Sequence, residues 1–364
     1  MILIFTVILV ALVFEYINGF HDTANSIATV VATKVLSPRQ AVMLAAVTNL
    51  GGAFMGTAVA TTIASGLVDP KVATSEVLIC ALLAAIVWDL LTWWFGMPSS
   101  SSHALVGGLC GACLAAARNN WHVLVWSIPN HEHWWKSKGL LWKVVIPMIS
   151  SPICGLVLGF LLMGVLYFVL RNWRTATVNK TFGKLQLLSS AYMGFSHGTN
   201  DAQKTMGIIA LALLTGTSNG MFDHLPVWLS FLRTAPQQGN QPMEIAAWIK
   251  VLCALTMCAG TALGGWRIIK TLGHKMVRLH PVHGFAAETT SATVLVTAAY
   301  FGMPVSTTHV VTTSIMGVGC AKGLNHLRFD VVERILWAWI MTLPASAGVA
   351  YLLVKLAQVA GWIQ

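Results

Sequence analysis

The chain has 364 residues, 56% of them apolar and 9% charged, and its mean hydropathy is +0.72. Because about a quarter of the residues in a soluble domain are charged, this composition excludes an ordinary soluble protein and indicates a membrane protein. The net charge of +10 would suit a nucleic-acid partner. However, Lys and Arg concentrate in short segments between apolar blocks, as they do in cytoplasmic loops, so we expect no nucleic-acid binding.

Apolar blocks follow one another along the chain, several of them near the roughly 20 residues that a helix needs to cross the hydrocarbon of a bilayer. In chain order they are Met1–Ile17, Ala41–Val68, Val77–Phe95, Val144–Leu170, Ile245–Trp266, Phe285–Phe301 and Ile335–Ala360. Further apolar stretches interrupted by polar residues are Ser26–Thr33, Leu105–Ala117 and Leu185–Thr217. The first block lacks the basic start and small-residue cleavage site of a signal peptide, so we assign it to the mature protein.

The positions of the basic residues predict the topology. Two basic loops mark the cytoplasmic side; they contain Arg171, Arg174, Lys180 and Lys184, and Arg267, Lys270, Lys275 and Arg278. Counting from them, we expect an all-α, multi-pass protein of the inner (plasma) membrane. It would have a first repeat over 1–170, a basic cytoplasmic linker over 171–184 and a second repeat over 185–364, with about five membrane segments in each repeat. An odd number of segments inverts the second repeat, a plan found in secondary transporters.

An internal duplication supports this division. The sequence FGMPSSSSH at 95–103 recurs as FGMPVSTTH at 301–309, at an offset of 206 residues (95 to 301). A second pair, around Asp22 and Asp201, recurs at an offset of 179 residues (22 to 201). We call 18–26 and 197–205 the first and second Asp motifs, and 95–103 and 301–309 the first and second Pro motifs. Their common order in both halves indicates a repeat.

Both Asp motifs place polar residues inside apolar sequence. Gly19 and Gly198 would let the chain leave helical geometry, so we expect a helix break at each motif, which a bilayer tolerates only inside protein or beside a watery cavity. Ionisable side chains at this depth cost at least ~2.5 kcal/mol each, so function is the default interpretation. The candidates for a coupling-ion or proton site and its support are Asn18, His21, Asp22, Asn200, Asp201 and Lys204. Alternatively, the two Asp side chains form buried structural pairs with a neighbouring His or Lys.

Each Pro motif predicts the start of a helix, with Pro98 or Pro304 in its first turn. Free N–H groups and the positive end of the helix dipole make such a start an anion site, and hydroxyl groups add neutral donors. Two starts that face each other would cradle a tetrahedral oxyanion. The hydroxyl residues are Ser100, Ser101, Ser102, Ser306, Thr307 and Thr308, and His103 and His309 support them. Alternatively, these hydroxyls only cap their helices.

Three single acids lie in apolar segments. Glu288, sixteen residues before Pro304 (288 to 304), is a candidate ion or proton site because a carboxylate at this depth is costly. Glu15 and Asp89 are expected to be hydrogen-bonded in the helix bundle or to lie near the membrane interface.

These motifs resemble those of the PiT family of inorganic phosphate transporters, whose duplicated signature has the form G-A-N-D-V-A-N-A. The two Asp motifs resemble its two copies, and the two Pro motifs match the family's second pattern, so the resemblance spans essentially the whole chain. It implies secondary transport of inorganic phosphate with a coupling cation, discontinuous or re-entrant helices at the midplane and a homodimer. By their place in the motifs, Thr23, Asn25 and Thr205 join the phosphate-binding residues. We expect no cofactor and no resident metal.

The sequence also departs from the family signature. Lys204 stands where the second copy has an Asn, and Asn49 stands where sodium-coupled members tend to carry an acid. These features resemble the bacterial Pit branch, which couples phosphate, often as a neutral metal–phosphate complex, to protons. They favour H+ over Na+ as the coupling cation, and a fixed ammonium could occupy the place of a cation.

Other functions compete with this one. A sodium-coupled phosphate symporter and a sulfate permease of the same architecture stay open; phosphate is favoured because it carries a proton that a carboxylate can accept. An intramembrane hydrolase would need one nucleophile with one base, whereas here each candidate occurs twice. A passive anion channel would have no use for the buried carboxylates.

Overall fold

The computed structural model describes residues 2–130, 133, 135, 137–223, 226–234, 244–275, 279–323 and 328–363. In this part of the chain the regular structure is helical. The first six helices are α1 (Ile2–Ala32), α2 (Pro38–Ala53), α3 (Ala58–Ser65), α4 (Ser75–Phe95), α5 (Ser101–Ala116) and α6 (Ile146–Leu170, led by a π-helical turn at Leu141–Val145). The next six are α7 (Thr175–Ser218), α8 (Ala247–Leu263), α9 (Trp266–Lys270, continued by a π-helical turn at Thr271–Lys275), α10 (Pro281–Tyr300), α11 (Thr307–Lys322) and α12 (Phe329–Val359).

Four of these helices, α1, α4, α12 and α6 with its leading turn, are long and apolar enough to cross a membrane. Two bent pairs raise the number to six: α2 and α3 meet at 67°, and α8 and α9 meet at 58°. This composition makes the chain a multi-pass membrane protein. Helices α5 and α11 have 16 residues each, or about 24 Å, and are therefore shorter than the ~30 Å hydrocarbon layer.

The helix order repeats. A long helix, a bent pair, a helix, a short helix and a final long helix run from α1 to α6 and again from α7 to α12. Helices of one series pack against helices of the other in an equivalent way. Helix α2 packs on α7, and its counterpart α8 packs on α1; helix α5 packs on α12, and its counterpart α11 packs on α6. Ten segments, five in each series, agree in order with the predicted crossings, while the inverted orientation in the bilayer stays a prediction.

Helix breaks at the Asp motifs were predicted, and this prediction is wrong. Helices α1 and α7 run through both motifs without interruption. The glycines serve close helix packing instead: a Cβ on Gly19 would lie 2.7 Å from the carbonyl oxygen of Met257 in α8, and one on Gly198 would lie 2.7 Å from Cα of Asn49 in α2. Because no real Cβ approaches backbone so closely, each glycine lets another helix touch its own, and the polar residues stay helical by facing protein.

The breaks fall at the Pro motifs. Gly96 and Gly302 have φ of +64° and +65°, a conformation that favours glycine, and they end α4 and α10. The prolines were expected in the first helical turn, but they precede it. The residues that cap α5 and α11 are Ser100 and Ser306, whose hydroxyl oxygens accept from the backbone N–H of His103 and His309, both at 3.2 Å. Hydroxyl N-caps therefore fix where these helices begin.

The two basic segments were predicted as loops, and this is wrong for most of their residues. Helix α7 already begins at Thr175, so only 171–174 separates α6 from α7, while Lys180 and Lys184 lie on the helix. Residues 266–275 are also helical, and Arg278 lies outside the described residues. Basic side chains are good helix formers, and sequence patterns that mark the cytoplasmic side do not distinguish a loop from a helix end.

The close contact at Gly198 gives a first prediction. Gly198→Ala should lower the melting temperature of the purified protein or prevent its accumulation in the membrane, because the added methyl group meets the backbone of α2. The matched control is Gly183→Ala on the same helix, where a Cβ meets nothing within 4 Å; it should stabilise α7 by up to about 1 kcal/mol. Equal thermal stability of the two variants would contradict the proposed helix contact.

Candidate functional site

The first half of the site is built on Asp22. Helix α1 carries it against the start of α5, where Ser101 Oγ donates to Asp22 Oδ2 at 2.8 Å. His21 Nδ1 lies 2.7 Å from Asp22 Oδ1, and the other ring nitrogen lies 3.1 Å from Thr92 Oγ1 on α4. Both residues of the His–Asp pair are buried, with 1% and 2% exposure. The carboxylate is therefore held between a histidine and the hydroxyl of a helix start.

The second half is built on Asp201 in the same way. Thr307 Oγ1, at the start of α11, lies 3.3 Å from Asp201 Oδ2, as Ser101 lies against Asp22. Lys204 Nζ donates to Asp201 Oδ1 at 2.6 Å, and His197 Nε2 lies 3.1 Å from Oδ2, one helical turn before it. All three side chains have 0% exposure. Each Asp therefore forms the buried pair with a His or Lys that the structural alternative predicts. Each Asp also contacts a hydroxyl at a helix start, as the interpretation as a binding site predicts.

The two halves meet. One ligand atom each from Asp22, His197 and Asp201 lie within 4.8 Å of one another. Asn25 Nδ2 donates across the repeats to Thr307 Oγ1 at 3.1 Å and to Thr308 Oγ1 at 2.9 Å. The Asp motifs of α1 and α7 and the starts of α5 and α11 therefore form one continuous polar cluster between the repeats.

The helix starts themselves touch. Ser102 Oγ donates to the carbonyl of Val305 at 3.0 Å, and the rings of His103 and His309 meet edge-on with centroids 4.7 Å apart. Capping accounts for Ser100 and Ser306. It does not account for the hydroxyls one and two positions later, which reach the carboxylates, Asn25 and the opposite Pro motif.

Two of the predicted phosphate-binding hydroxyls are directed elsewhere. The Thr23 hydroxyl donates to backbone carbonyls, to Gly19 at 2.6 Å in its own helix and to Thr261 at 3.3 Å in α8. The Thr205 hydroxyl donates to the carboxylate of Glu15. Each hydroxyl has one hydrogen, so the described contacts leave neither Thr23 nor Thr205 a free donor, and the structure does not bring these two donors to the Asp cluster.

Several buried polar atoms around the cluster have no hydrogen-bond partner among the described residues. They are both amide atoms of Asn18, Oδ1 of Asn200, Oε1 of Glu15, Nδ1 of His103 and both ring nitrogens of His309. Buried polar groups are almost always hydrogen-bonded to protein, water or an ion. These atoms therefore mark the surroundings of the two Asp residues as a place for water and polar solutes.

Glu288 lies in a separate group. Its Oε1 accepts from Thr29 at 2.5 Å and from Gln186 at 3.0 Å, and its Oε2 accepts from Ser189 at 2.5 Å. These donors come from α1 and α7, so the carboxylate of α10 ties three helices together. Neutral donors hydrogen-bond to both carboxylate oxygens. These contacts can account for a buried Glu288 by helix packing alone, in addition to the predicted role as an ion or proton site.

Of the two remaining acids, Glu15 is hydrogen-bonded in the bundle as expected. Asp89 is not: its side chain has 0% exposure on α4, and neither oxygen has a hydrogen-bond partner among the described residues. Sequence reasoning also missed Thr92, Gln186 and Ser189, single polar residues in apolar helices that only packing identifies. His197 was detectable, since it stands one helical turn before Asp201.

In chemical terms, the cluster offers carboxylates, imidazoles, one ammonium and hydroxyl-capped helix starts, all buried between two helical repeats. Each Asp has its own hydroxyl partner, and the arrangement binds rather than cleaves, because no single nucleophile is oriented by a single base. Ionisable residues that face each other inside a membrane bundle are typical of a solute pathway. The fold and the site are those of a membrane transport protein.

Comparison with known proteins identifies the group. Residues 18–350 match the profile of the "Phosphate transporter family". The chain is 40% identical over 361 residues to a "Probable low-affinity inorganic phosphate transporter" of Bacillus subtilis, covering 98% of both chains. It is 40% identical over 341 residues to a protein of the same name from Rhizobium meliloti, covering 93% of this chain and 92% of that one. The chain therefore belongs to the phosphate transporter family.

A solved structure has the same fold. "The sodium-dependent phosphate transporter" superposes with a TM-score of 0.80, at 23% identity, over 99% of this chain and 100% of that one. At this identity the likeness establishes the architecture and says nothing of the coupling ion here.

The different partners of the two carboxylates give a second prediction. Asp22→Asn and Asp201→Asn should both abolish uptake of labelled phosphate into proteoliposomes. Only Asp201→Asn should also lose stability, by about 3–5 kcal/mol, because it leaves the Lys204 ammonium buried without its counter-charge. Thermal melting separates the two effects, and wild-type uptake in either variant would refute the site.

A third prediction separates binding from capping. Ser101→Ala and Thr307→Ala should raise the apparent KM for phosphate because they remove the hydroxyls that contact the two Asp side chains. Ser306→Ala removes a cap and should mainly cost about 1 kcal/mol of stability. The check is a series of initial uptake rates beside melting curves; if all three variants lower stability and leave KM unchanged, the hydroxyls only cap.

Proposed function

We propose that this protein is a secondary transporter that takes up inorganic phosphate across the inner (plasma) membrane by symport with protons. Family membership and the names of the relatives support phosphate as the solute. The observation that carries proton coupling is the buried ion pair between Lys204 and Asp201, 2.6 Å apart with 0% exposure of both side chains. It places a permanent cation of the protein where a transported cation would otherwise neutralise the carboxylate.

Phosphate would bind where the two helix starts meet. The N-termini of α5 and α11 supply N–H groups and the positive ends of two dipoles. The hydroxyls of Ser101, Ser102 and Thr307 donate to Asp22, to the Val305 carbonyl and to Asp201 in this structure, and together with Thr308 they would turn to the anion when it binds. Asn25 already donates to two of these hydroxyls, at 3.1 Å and 2.9 Å, and would turn its amide to the anion. A buried oxyanion needs several donors at once to replace its hydration, and this cluster has them on both repeats.

The repeat itself shows what is special about Lys204. At the offset of 179 residues (25 to 204) it is the counterpart of Asn25. The first repeat therefore presents a neutral amide at this position and the second an ammonium. Because the ammonium is tied to the protein, it neutralises Asp201 without being transported, which removes one requirement for a sodium ion.

A second departure from the family signature, Asn49, points the same way. Asn49 Nδ2 donates to Thr261 Oγ1 at 3.1 Å, and its Oδ1 lies 3.3 Å from His197 Nδ1. Both partners across this contact of α2 and α8 are uncharged, so the contact offers no carboxylate to a sodium ion. Protons would instead bind to His21 and Asp22, which have no ammonium partner among the described residues and could exchange protons with phosphate.

A metal–phosphate complex is a second form of the substrate that one observation favours. One possible ligand atom from each of Asp22, His197 and Asp201 lies within 4.8 Å of the other two. An imidazole beside two carboxylates suits a divalent metal ion better than sodium, which has oxygen ligands in most sites. A metal travelling with phosphate would be cargo, and sodium coupling, as in the name of the structural neighbour, is the alternative that the next experiment excludes or supports.

The experiment is uptake of labelled phosphate into proteoliposomes with one gradient at a time. An inward proton gradient without sodium should drive accumulation, and an inward sodium gradient at equal pH on both sides should not. Sulfate in excess should leave the rate unchanged, whereas inhibition would favour a sulfate permease. Accumulation driven by sodium alone would refute proton coupling while leaving phosphate transport in place.

A fourth prediction concerns the fixed ammonium. Lys204→Asn should reduce proton-driven uptake at least about tenfold, since loss of ~1.4 kcal/mol of stabilisation already has this effect and a buried charge pair exceeds it. External sodium should partly restore uptake by neutralising Asp201. The control is Lys355→Gln, a lysine of α12 that donates to the carbonyl of Ala115 at 3.2 Å, away from the site. Proton-driven uptake at the wild-type rate in Lys204→Asn would contradict the proposed role.

A further inference from the structure

A cavity of about 400 Å³ lies beside the second Pro motif. It is bounded by α3, by the end of α10 and by the segment that leads into α6. Its polar lining includes the ammonium groups of Lys138 and Lys143, the amide of Asn130 and the hydroxyl of Tyr300. Thr61, Thr62, Ser65 and Gly302 also line it, and the three hydroxyls donate to backbone carbonyls. No Asp or Glu is among the described residues that line it. The two ammonium groups give the described part of this lining a positive charge, which suits an anion.

Lys143 is the main source of charge. Its side chain is 7% exposed, and Nζ donates to the carbonyl of Phe301 at 2.7 Å and to that of Trp135 at 3.1 Å. Both acceptors are neutral, and among the described residues no carboxylate forms an ion pair with it. The helix dipole at the end of α10 compensates part of the charge. A buried ammonium without a counter-ion still leaves a positive potential in the adjoining cavity.

The cavity adjoins the proposed phosphate site along the chain. Gly302 lines it and is held by Thr62 Oγ1, which donates to the Gly302 carbonyl at 2.7 Å. Four residues later Ser306 caps α11, whose first turn carries Thr307. An anion in the cavity would thus lie next to the backbone bend that ends at the helix start.

The predicted topology also bears on the role of these lysines. The charge pattern predicts that the segment between α5 and α6 is on the outer side, where basic residues are disfavoured. Nevertheless its sequence contains Arg118, Lys136 and Lys138, with Lys143 just after it. Basic residues on the side that the orientation rule disfavours call for another role, and attraction of a transported anion is one.

The corresponding place in the first repeat has the same design on a smaller scale. Beside Gly96 and Pro98 lies a cavity of about 90 Å³ that is lined by Thr271 and Arg334. Thr271 Oγ1 donates to the carbonyl of Gly96 at 2.9 Å, as Thr62 does to Gly302. A basic side chain near the start of the last helix of each repeat thus lies beside each bend, on the two predicted sides of the membrane.

We propose that the larger cavity is an outer anion site, in which Lys143 and Lys138 bind phosphate before it passes to the start of α11. This inference rests on the proposed phosphate transport and adds a second, peripheral binding site to it. Lys143 and Lys138 act on capture of phosphate from the medium and not on coupling. Their removal changes the concentration dependence of uptake, especially at low ionic strength, where charge attraction is least screened.

The test is initial uptake of labelled phosphate into proteoliposomes as a function of phosphate concentration, at about 20 mM and about 500 mM salt. Lys143→Gln and Lys138→Gln should each raise KM about 3- to 10-fold at low salt, with Vmax within about twofold of wild type and a smaller KM effect at high salt. Lys143→Arg keeps the charge and should keep the KM. Lys355→Gln, which also removes a lysine bound to a backbone carbonyl, should change neither.

The outcomes separate this inference from the proposed function. If the wild-type protein takes up no phosphate, the proposed function is wrong. If it does, and Lys143→Gln lowers the melting temperature with an unchanged KM, Lys143 only caps the end of α10 and the anion site is refuted. If Lys143→Gln does not fold, the test uses Lys138→Gln, since Lys138 is more exposed. An unchanged KM at low salt in this variant refutes the site. A KM that is raised at low salt and returns toward the wild-type value at high salt supports it.

Discussion

A charge buried in a membrane bundle needs polar or charged partners inside the protein, and the contact between Lys204 and Asp201 is the clearest case in this structure. Placing either ion alone in a low-dielectric interior costs several kcal/mol, and both side chains have 0% exposure. Because Lys204 contacts only Asp201 of the two Asp residues, the other carboxylate depends on different partners. Asp22, without an ammonium of its own, relies on His21 and Ser101, and both carboxylates are held where the helix starts of the two repeats converge. Asn25 likewise finds hydrogen-bond partners inside the cluster, in Thr307 and Thr308.

Helix packing makes this convergence possible. Gly19 and Gly198 remove the side chain at the point where α1 meets α8 and α7 meets α2, so the backbones touch and the Asp motifs are drawn to a common depth. An unbroken helix keeps its own hydrogen bonds satisfied in lipid, which is cheaper than a break. At Gly96 and Gly302 the chain leaves helical geometry, and hydroxyl caps satisfy the helix starts that follow.

The duplication gives both repeats the same helix order, and the copies differ in the residues and cavities at equivalent positions. A symmetric site would present the same groups from both repeats. Here the amide of Asn25 bridges to hydroxyls of the opposite helix start, whereas its counterpart Lys204 turns to its own Asp. The cavities beside the two bends differ as well, about 400 Å³ against about 90 Å³. Equivalent positions of the two repeats therefore differ in both charge and space.

The sequence by itself determined the membrane class, the helical fold, the duplication and the family, because these follow from hydrophobic block lengths and from repeated motifs that a single chain displays. It also named Asp22, Asp201, Ser101 and Thr307 as candidate site residues, and the structure brings these four side chains into one polar cluster. It misplaced the helix breaks, because glycine in a membrane helix permits both a bend and a close contact, and only the neighbouring helix decides between them. Thr92, Gln186 and Ser189 carry no local signal, and the turning of Thr23 and Thr205 away from the cluster depends on which helix packs beside each. Tertiary structure decided these points because a hydroxyl has one hydrogen to donate, and its direction is set by the partner that packing brings within reach.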